Sequence, residues 1–285
     1  MKWILGTATF GSDYGIANRS HFSSEDNSKQ ILAKAQSSGI SYLDTAPGYA
    51  LAEEIIGKYH LEGGQFNTYS KIPKLDTFHP ESVFNSIETS ISRMKVEKLE
   101  GVLFHSSESL MNNPVKIVRK TLALILESKL VKKIGVSIYT ENEIIMINER
   151  FPEINIFQVP ENILDRRLID SEIIKDMFIK GYEFHIRSVF LQGLLLMDIE
   201  KIPVEFSNIR GPIELLQRKS KIAGCSLVDM CLSYVTQIEW MSGIIVGVIT
   251  AKQLDEIVKF TNVKIDLEKL PTLVDGEIKD PRNWK

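Results

Sequence analysis

The sequence predicts an α/β fold, a single-domain (β/α)8 or TIM barrel with a parallel eight-stranded wall, spanning residues 1–285. Short apolar runs rich in β-branched or aromatic residues recur about eight times, the number a closed barrel needs. Segments with helical spacing lie between them, and parallel neighbours require such long crossovers. No Ser, Gly or Pro-rich linker and no shift in composition marks a second domain.

The predicted strands lie at residues 3–5, 40–43, 66–69, 101–104, 133–136, 154–159, 182–186 and 242–246. The clearest helices are 25–38, 80–94 and 114–130, and Val83, Ile87, Ile91 and Met94 form one stripe on the second of these. Ser24 before Glu25, Pro80 near a helix start and Gly39 after a helix end supply boundary signals. Residues 203–241 read as two helices that decorate the repeat, and residues 266–285 as an irregular tail. An open doubly wound sheet fits the same alternation. Its dinucleotide-binding turn would be G-x-G-x-x-G, whereas Gly6-Thr7-Ala8-Thr9-Phe10-Gly11 lacks the middle glycine.

Lys and Arg number 34 against 37 Asp and Glu, so the net charge of -3 offers no basic field for nucleic acid or an anionic membrane. Cys225 and Cys231 sit in a segment that reads as helix, with no His nearby to complete a metal set, and read as small apolar residues. The apolar stretch Trp3-Ile4-Leu5 is too brief for a signal-peptide core, and no run reaches the roughly 18 residues of a membrane span. A cytoplasmic location is the expectation.

In such a barrel, chemistry gathers at the carboxyl ends of the strands. Asp44 ends the second run, Tyr49 follows in its loop, Lys71 ends the third, and His105 ends the fourth. Each has a plain alternative: Asp44 as a helix cap, Tyr49 as a loop aromatic, Lys71 as a solvated charge and His105 as a core residue. Together, at the same ends of three consecutive strands, they suggest a site. Asp44 and Lys71 are expected to pair. A cation beside a phenol lowers its pKa from about 10, which would make Tyr49 a usable proton donor and acceptor. His105 is then placed to bind or polarise a substrate oxygen.

Leu5-Gly6-Thr7, Asp44-Thr45-Ala46-Pro47-Gly48-Tyr49 with Glu53 following, Lys71 and Leu103-Phe104-His105 resemble the aldo-keto reductase family in order and spacing, over nearly the whole chain. The resemblance implies an NAD(P)-dependent oxidoreductase that reduces an aldehyde or ketone, such as a sugar-like carbonyl, to an alcohol. Asp44, Tyr49, Lys71 and His105 would be its catalytic tetrad and NADPH its cofactor, with NADH as the alternative. It also implies that Thr7, Ser137, Gln158, Arg187, Ser188, Gly193, Gly247, Thr250, Gln253 and Glu256 hold that cofactor. Ser137 and Gln158 would lie at the nicotinamide carboxamide, and the segment from Gly247 to Glu256 at the adenosine phosphate.

The departures from the family pattern are specific. Ala50 replaces a Gly, Ile138 an Asn, and Arg187 a Tyr that stacks on nicotinamide. Gly247 and Gln253 stand where many members carry basic residues for the 2′-phosphate, although Lys252 supplies a charge nearby. Asp13, Tyr14, Ser106, Ser107, Tyr139, Asn162 and Arg187 are candidates for the substrate mouth. Two rival readings stay open: a slow or inactive NADP-binding barrel acting as a redox sensor or partner-binding protein, and an isomerase or aldolase using Lys71 as a Schiff-base nucleophile.

Overall fold

A computed structural model describes residues 2–16, 24–73, 78–267, 270–273 and 284. Eight parallel strands close into a barrel in sequence order. They are β1 (Lys2–Gly6), β2 (Tyr42–Asp44), β3 (Asn67–Ile72), β4 (Gly101–Phe104), β5 (Ile134–Ser137), β6 (Ile156–Pro160), β7 (Glu183–Arg187) and β8 (Gly243–Gly247). Closure is made by β1 against β8, with Lys2 opposite Gly243 and Gly6 opposite Gly247.

The crossovers are α1 (Glu25–Ser37), α2 (Ala52–Leu61), α3 (Pro80–Met94), α4 (Glu108–Met111), α5 (Val115–Glu127), α6 (Glu141–Arg150) and α7 (Glu172–Ile179). They are followed by α8 (Arg210–Ala223), α9 (Leu227–Thr236) and α10 (Ala251–Val258). Their ends follow from local chemistry. The Ser24 hydroxyl accepts from the Asn27 amide and starts α1, Pro80 opens α3, and Thr140 with Glu143 forms a capping box at α6. Gly39, at φ +80°, lets the chain turn back after α1. The two helices expected between residues 203 and 241 are α8 and α9, preceded by 3-10 turns. Cys231 lies in α9, but Cys225 precedes its cap, outside the expected helix. Most of the tail expected to be irregular lies outside the described residues.

Period-two alternation sends strand residues to two cores. Ile4, Tyr69, Leu103 and Ile156 pack inside the barrel, while Leu5, Leu43, Val102, Phe104 and Phe157 join the shell beneath the helices. At the amino ends of the strands, Glu183 accepts from Lys2 at 3.0 Å, from Lys133, and from His185 Nε2 at 3.2 Å. His185 first, then Lys133 and Lys2, hold the Glu183 carboxyl well below the usual range. The charged cluster closes the floor and leaves the opposite end for the site. Among the described residues, no helix is long and apolar enough to cross a membrane, and no three His, Cys, Asp or Glu side chains gather as a metal set.

Candidate active site

Strand register sets the arrangement at the carboxyl ends. Asp44 lies opposite Gly6 and Tyr69, Ser137 opposite Gln158, and Arg187 opposite Pro160. Asp44 Oδ1 receives Lys71 Nζ at 2.5 Å, and Oδ2 receives Gln158 Nε2 at 2.8 Å. Lys71 also donates to the Thr45 carbonyl at 3.1 Å, and the Thr7 hydroxyl to the Asp44 carbonyl at 3.1 Å. Neither ionic side chain is solvated: the exposures are 1% for Lys71 and 7% for Asp44. Asp44 therefore serves as the counter-ion of a buried lysine and caps no helix.

Lys71 Nζ lies 5.1 Å from the centroid of the Tyr49 ring, and His105 meets that ring edge-on at 6.1 Å. Burial opposes the Lys71 ammonium, but Asp44 and Tyr49 outweigh it and raise its pKa. The phenol differs from expectation: burial raises the Tyr49 pKa by more than the Lys71 cation lowers it, and Asp44 adds to the rise. A neutral Tyr49 beside a cation is a proton donor at physiological pH, not a standing phenolate. His105 is exposed just past the end of β4, yet loss of water around the ring and the Lys71 cation push its pKa down to about 4. The neutral ring can hydrogen-bond an oxygen without adding charge.

A cavity of about 690 Å³ runs over this floor. Asp44, Tyr49, Gln158, Thr7, Arg187, Ser188, Gly193, Gly247, Gln253 and Glu256 all line it. Ser137 is buried at the end of β5 and does not line it. Thr250 instead caps α10, accepting from the Gln253 amide at 3.2 Å. The Gln253 side chain accepts from the Ile249 amide at 2.9 Å.

The cavity wall also includes Phe190, Gln192, Met197, Asp198 and Lys201, which the sequence did not single out. They belong to the β7 to α8 connection, where Ser188, Leu191, Gln192 and Gly193 all have positive φ, from 48° to 87°. Three of those four are not glycine, so their strain requires support from surrounding contacts.

Among the mouth candidates, Tyr14, Tyr139 and Arg187 line the cavity. Ser107 is tied to Glu143, Ser106 accepts from the Glu108 amide, and exposed Asp13 lies off the wall. Asn162 is buried, with its side-chain oxygen accepting from the Leu164 and Asp165 amides, so it braces its own turn instead of the mouth.

The sequence pattern of the Aldo/keto reductase family matches residues 2–275. The chain belongs to the aldo/keto reductase family. Its curated relatives include the L-glyceraldehyde 3-phosphate reductase of Escherichia coli O157:H7, 24% identical over 92% of this chain and 88% of that protein. The enzyme of the same name from strain K12 is 23% identical over 86% and 82%. A crystal structure from Pseudomonas aeruginosa assigned to an aldo-keto reductase superposes with a TM-score of 0.66 at 21% identity, covering 90% of this chain and 88% of that one. That structural likeness speaks for the barrel. Membership of the family makes this barrel an oxidoreductase for small carbonyl compounds.

Proposed function

We propose that this aldo/keto reductase uses NADPH, with NADH as the alternative, to reduce a small hydroxylated aldehyde or ketone to its alcohol. One observation carries the reading: the buried Asp44–Lys71 pair lies beneath Tyr49 at the floor of a cavity that continues to Gln253 and Glu256. The name of the Escherichia coli relatives points to the same class of small, oxygen-rich aldehyde.

The lining fits a long dinucleotide. Gly247 leaves the wall open, since a Cβ there would meet nothing closer than the Gly6 carbonyl oxygen at 3.9 Å. At the other end Gln158 spends its amide N–H on Asp44, which keeps its carbonyl oxygen for a carboxamide donor. Gln158, with Thr7 and Arg187 on the same wall, would hold the nicotinamide end, where Ser137, buried opposite Gln158 in the strand register, would act from behind the cavity wall. Ser188 and Gly193 would hold the middle, and Gly247, Gln253 and Glu256 the adenosine end. Thr250 would serve that end indirectly, by fixing Gln253. When bound, the nicotinamide supplies the hydride.

The protein's own residues manage the proton. Tyr49 donates its phenolic hydrogen to the carbonyl oxygen as negative charge develops there, and the Lys71 cation stabilises the phenolate left behind. Asp44 keeps Lys71 charged in a dry site, and neutral His105 donates a hydrogen bond to the same substrate oxygen. A lysine held as an ammonium is a poor Schiff-base nucleophile, which favours reduction over aldol chemistry.

Tyr49→Phe tests the reading. The variant should bind NADPH as wild type does and lose roughly 10²- to 10⁴-fold in kcat with any reducible aldehyde. Retention of activity within about threefold would remove Tyr49 from the chemistry. Failure of both NADPH and NADH to bind at millimolar concentration would remove the oxidoreductase mechanism altogether.

A further inference from the structure

Charge at the reaction end of the cavity does not balance. Asp44 is committed to Lys71, and among the described residues the other carboxylates on the cavity wall are Asp198, which pairs with Lys201, and Glu256 on α10. Arg187 is a permanent cation, half-buried at the end of β7, and among the described residues no acid pairs with it. Its charge is felt at Tyr14, Tyr49 and His105, which places it at the reaction centre and away from the adenosine end.

The guanidinium is held but not satisfied. Its Cζ lies over the Tyr139 ring, 4.2 Å from the centroid. One Nη donates to the Ile138 carbonyl at 3.2 Å and the other to the Ser188 hydroxyl at 3.2 Å, while Nε is buried without a partner. Of the five N–H donors that an arginine carries, two are engaged, so a fixed fork with spare donors faces a site with one excess positive charge. Desolvating a cation in this way is costly unless an anion completes it.

We propose that Arg187 is a specificity-determining residue that binds an anionic group, a carboxylate or phosphate, on the carbonyl substrate. This rests on the carbonyl-reductase reading above and adds the substrate's charge class to it. The fork grips the anion while Tyr49 addresses the carbonyl, so a neutral aldehyde of equal length forfeits a charge-assisted contact.

The test compares matched pairs. Succinic semialdehyde against butanal probes a carboxylate, and glyceraldehyde 3-phosphate against glyceraldehyde probes a phosphate. Calorimetry with succinate against succinamide, with and without saturating NADP+, reads binding independently of turnover. Wild type should favour the anion in at least one aldehyde pair by roughly tenfold to a hundredfold in kcat/KM. It should also bind succinate more tightly than succinamide if the group is a carboxylate; inorganic phosphate replaces succinate if only the phosphate pair shows the preference.

In Arg187→Gln the ratio of anionic to neutral substrate should fall toward one, whatever happens to the absolute rate, and Arg187→Lys should restore part of it. Turnover with no anionic preference in either pair, or a preference that survives in Arg187→Gln, overturns the assignment while leaving the reductase reading intact. Tighter anion binding that disappears in Arg187→Gln, in a protein that oxidises no NADPH with any aldehyde, supports the anion site and removes the reductase reading instead.

Discussion

Asp44→Asn preserves the shape of the side chain and removes the counter-ion of a buried lysine. In the wild type one carboxylate oxygen takes Lys71 and the other takes Gln158. Asparagine offers a single acceptor oxygen, so one of those donors must face an amide N–H. Breaking a buried pair from one side costs about 3–5 kcal/mol. At about 2.1 cal/mol/K of melting entropy per residue, a chain of 285 residues should lose roughly 5–8 °C in Tm.

The pH dependence is the sharper signature. In the wild type the raised Lys71 pKa gives stability that is present below the ordinary 10.5 and lost as pH rises through the folded value. With Asp44 neutralised, burial dominates and Lys71 titrates below its unfolded value. The unfolded chain then binds the extra proton, and stability rises with pH until the unfolded lysine also deprotonates. Urea unfolding of both proteins at neutral, mildly alkaline and strongly alkaline pH should show the gap between them narrowing. Adding Lys71→Met to Asp44→Asn should recover part of the loss. A gap that is constant or widens with pH, or a loss under about 1 kcal/mol at neutral pH, would mean that Asp44 does not hold the lysine charged.

Three further substitutions probe other parts of the argument. Ala50 occupies φ +41°, so Ala50→Gly should raise the denaturation midpoint by about 0.5–1 kcal/mol equivalent in urea melts. A methyl group at Gly57 would collide with the Arg93 carbonyl where α2 meets α3, so Gly57→Ala should destabilise the protein by about 1–3 kcal/mol, measured in the same way. His105, with its pKa down at about 4, is neutral when folded but protonated when unfolded between there and 6.5. Stability linked to it should fall as pH drops through that window, and His105→Gln should flatten this part of the profile.

The barrel was legible because most strands are short, largely buried runs rich in apolar residues and the long crossovers carry amphipathic stripes, although β3 reads Asn-Thr-Tyr-Ser-Lys-Ile and owes its place to the alternation around it. Ends were less so: the run at residues 40–43 became Tyr42–Asp44, and the helix expected at 114–130 became Val115–Glu127. Asp44, Tyr49, Lys71 and His105 could be placed together because their strands are consecutive and parallel. The bond from Gln158 to Asp44 joins residues 114 positions apart, and no local pattern encodes it. The direction of the Tyr49 shift was also hidden, since it depends on how much water the fold removes from the phenol. Ala50 stood out in the sequence as a departure from glycine, and its positive φ gives that departure a physical cost.

The pairing of β1 with β8 also bears on how the protein is made. Lys2 and Gly243 lie about 240 residues apart, and at roughly 5–20 residues per second a ribosome needs about 12 to 48 s to deliver the partner of the first strand. Until then β1 is half of an unfinished wall, with one row of backbone amides and carbonyls unmatched. Such an edge can recruit strands from neighbouring nascent chains. Yield of this protein in a host cell should therefore depend on translation speed and chaperone supply as much as on the stability of the closed barrel.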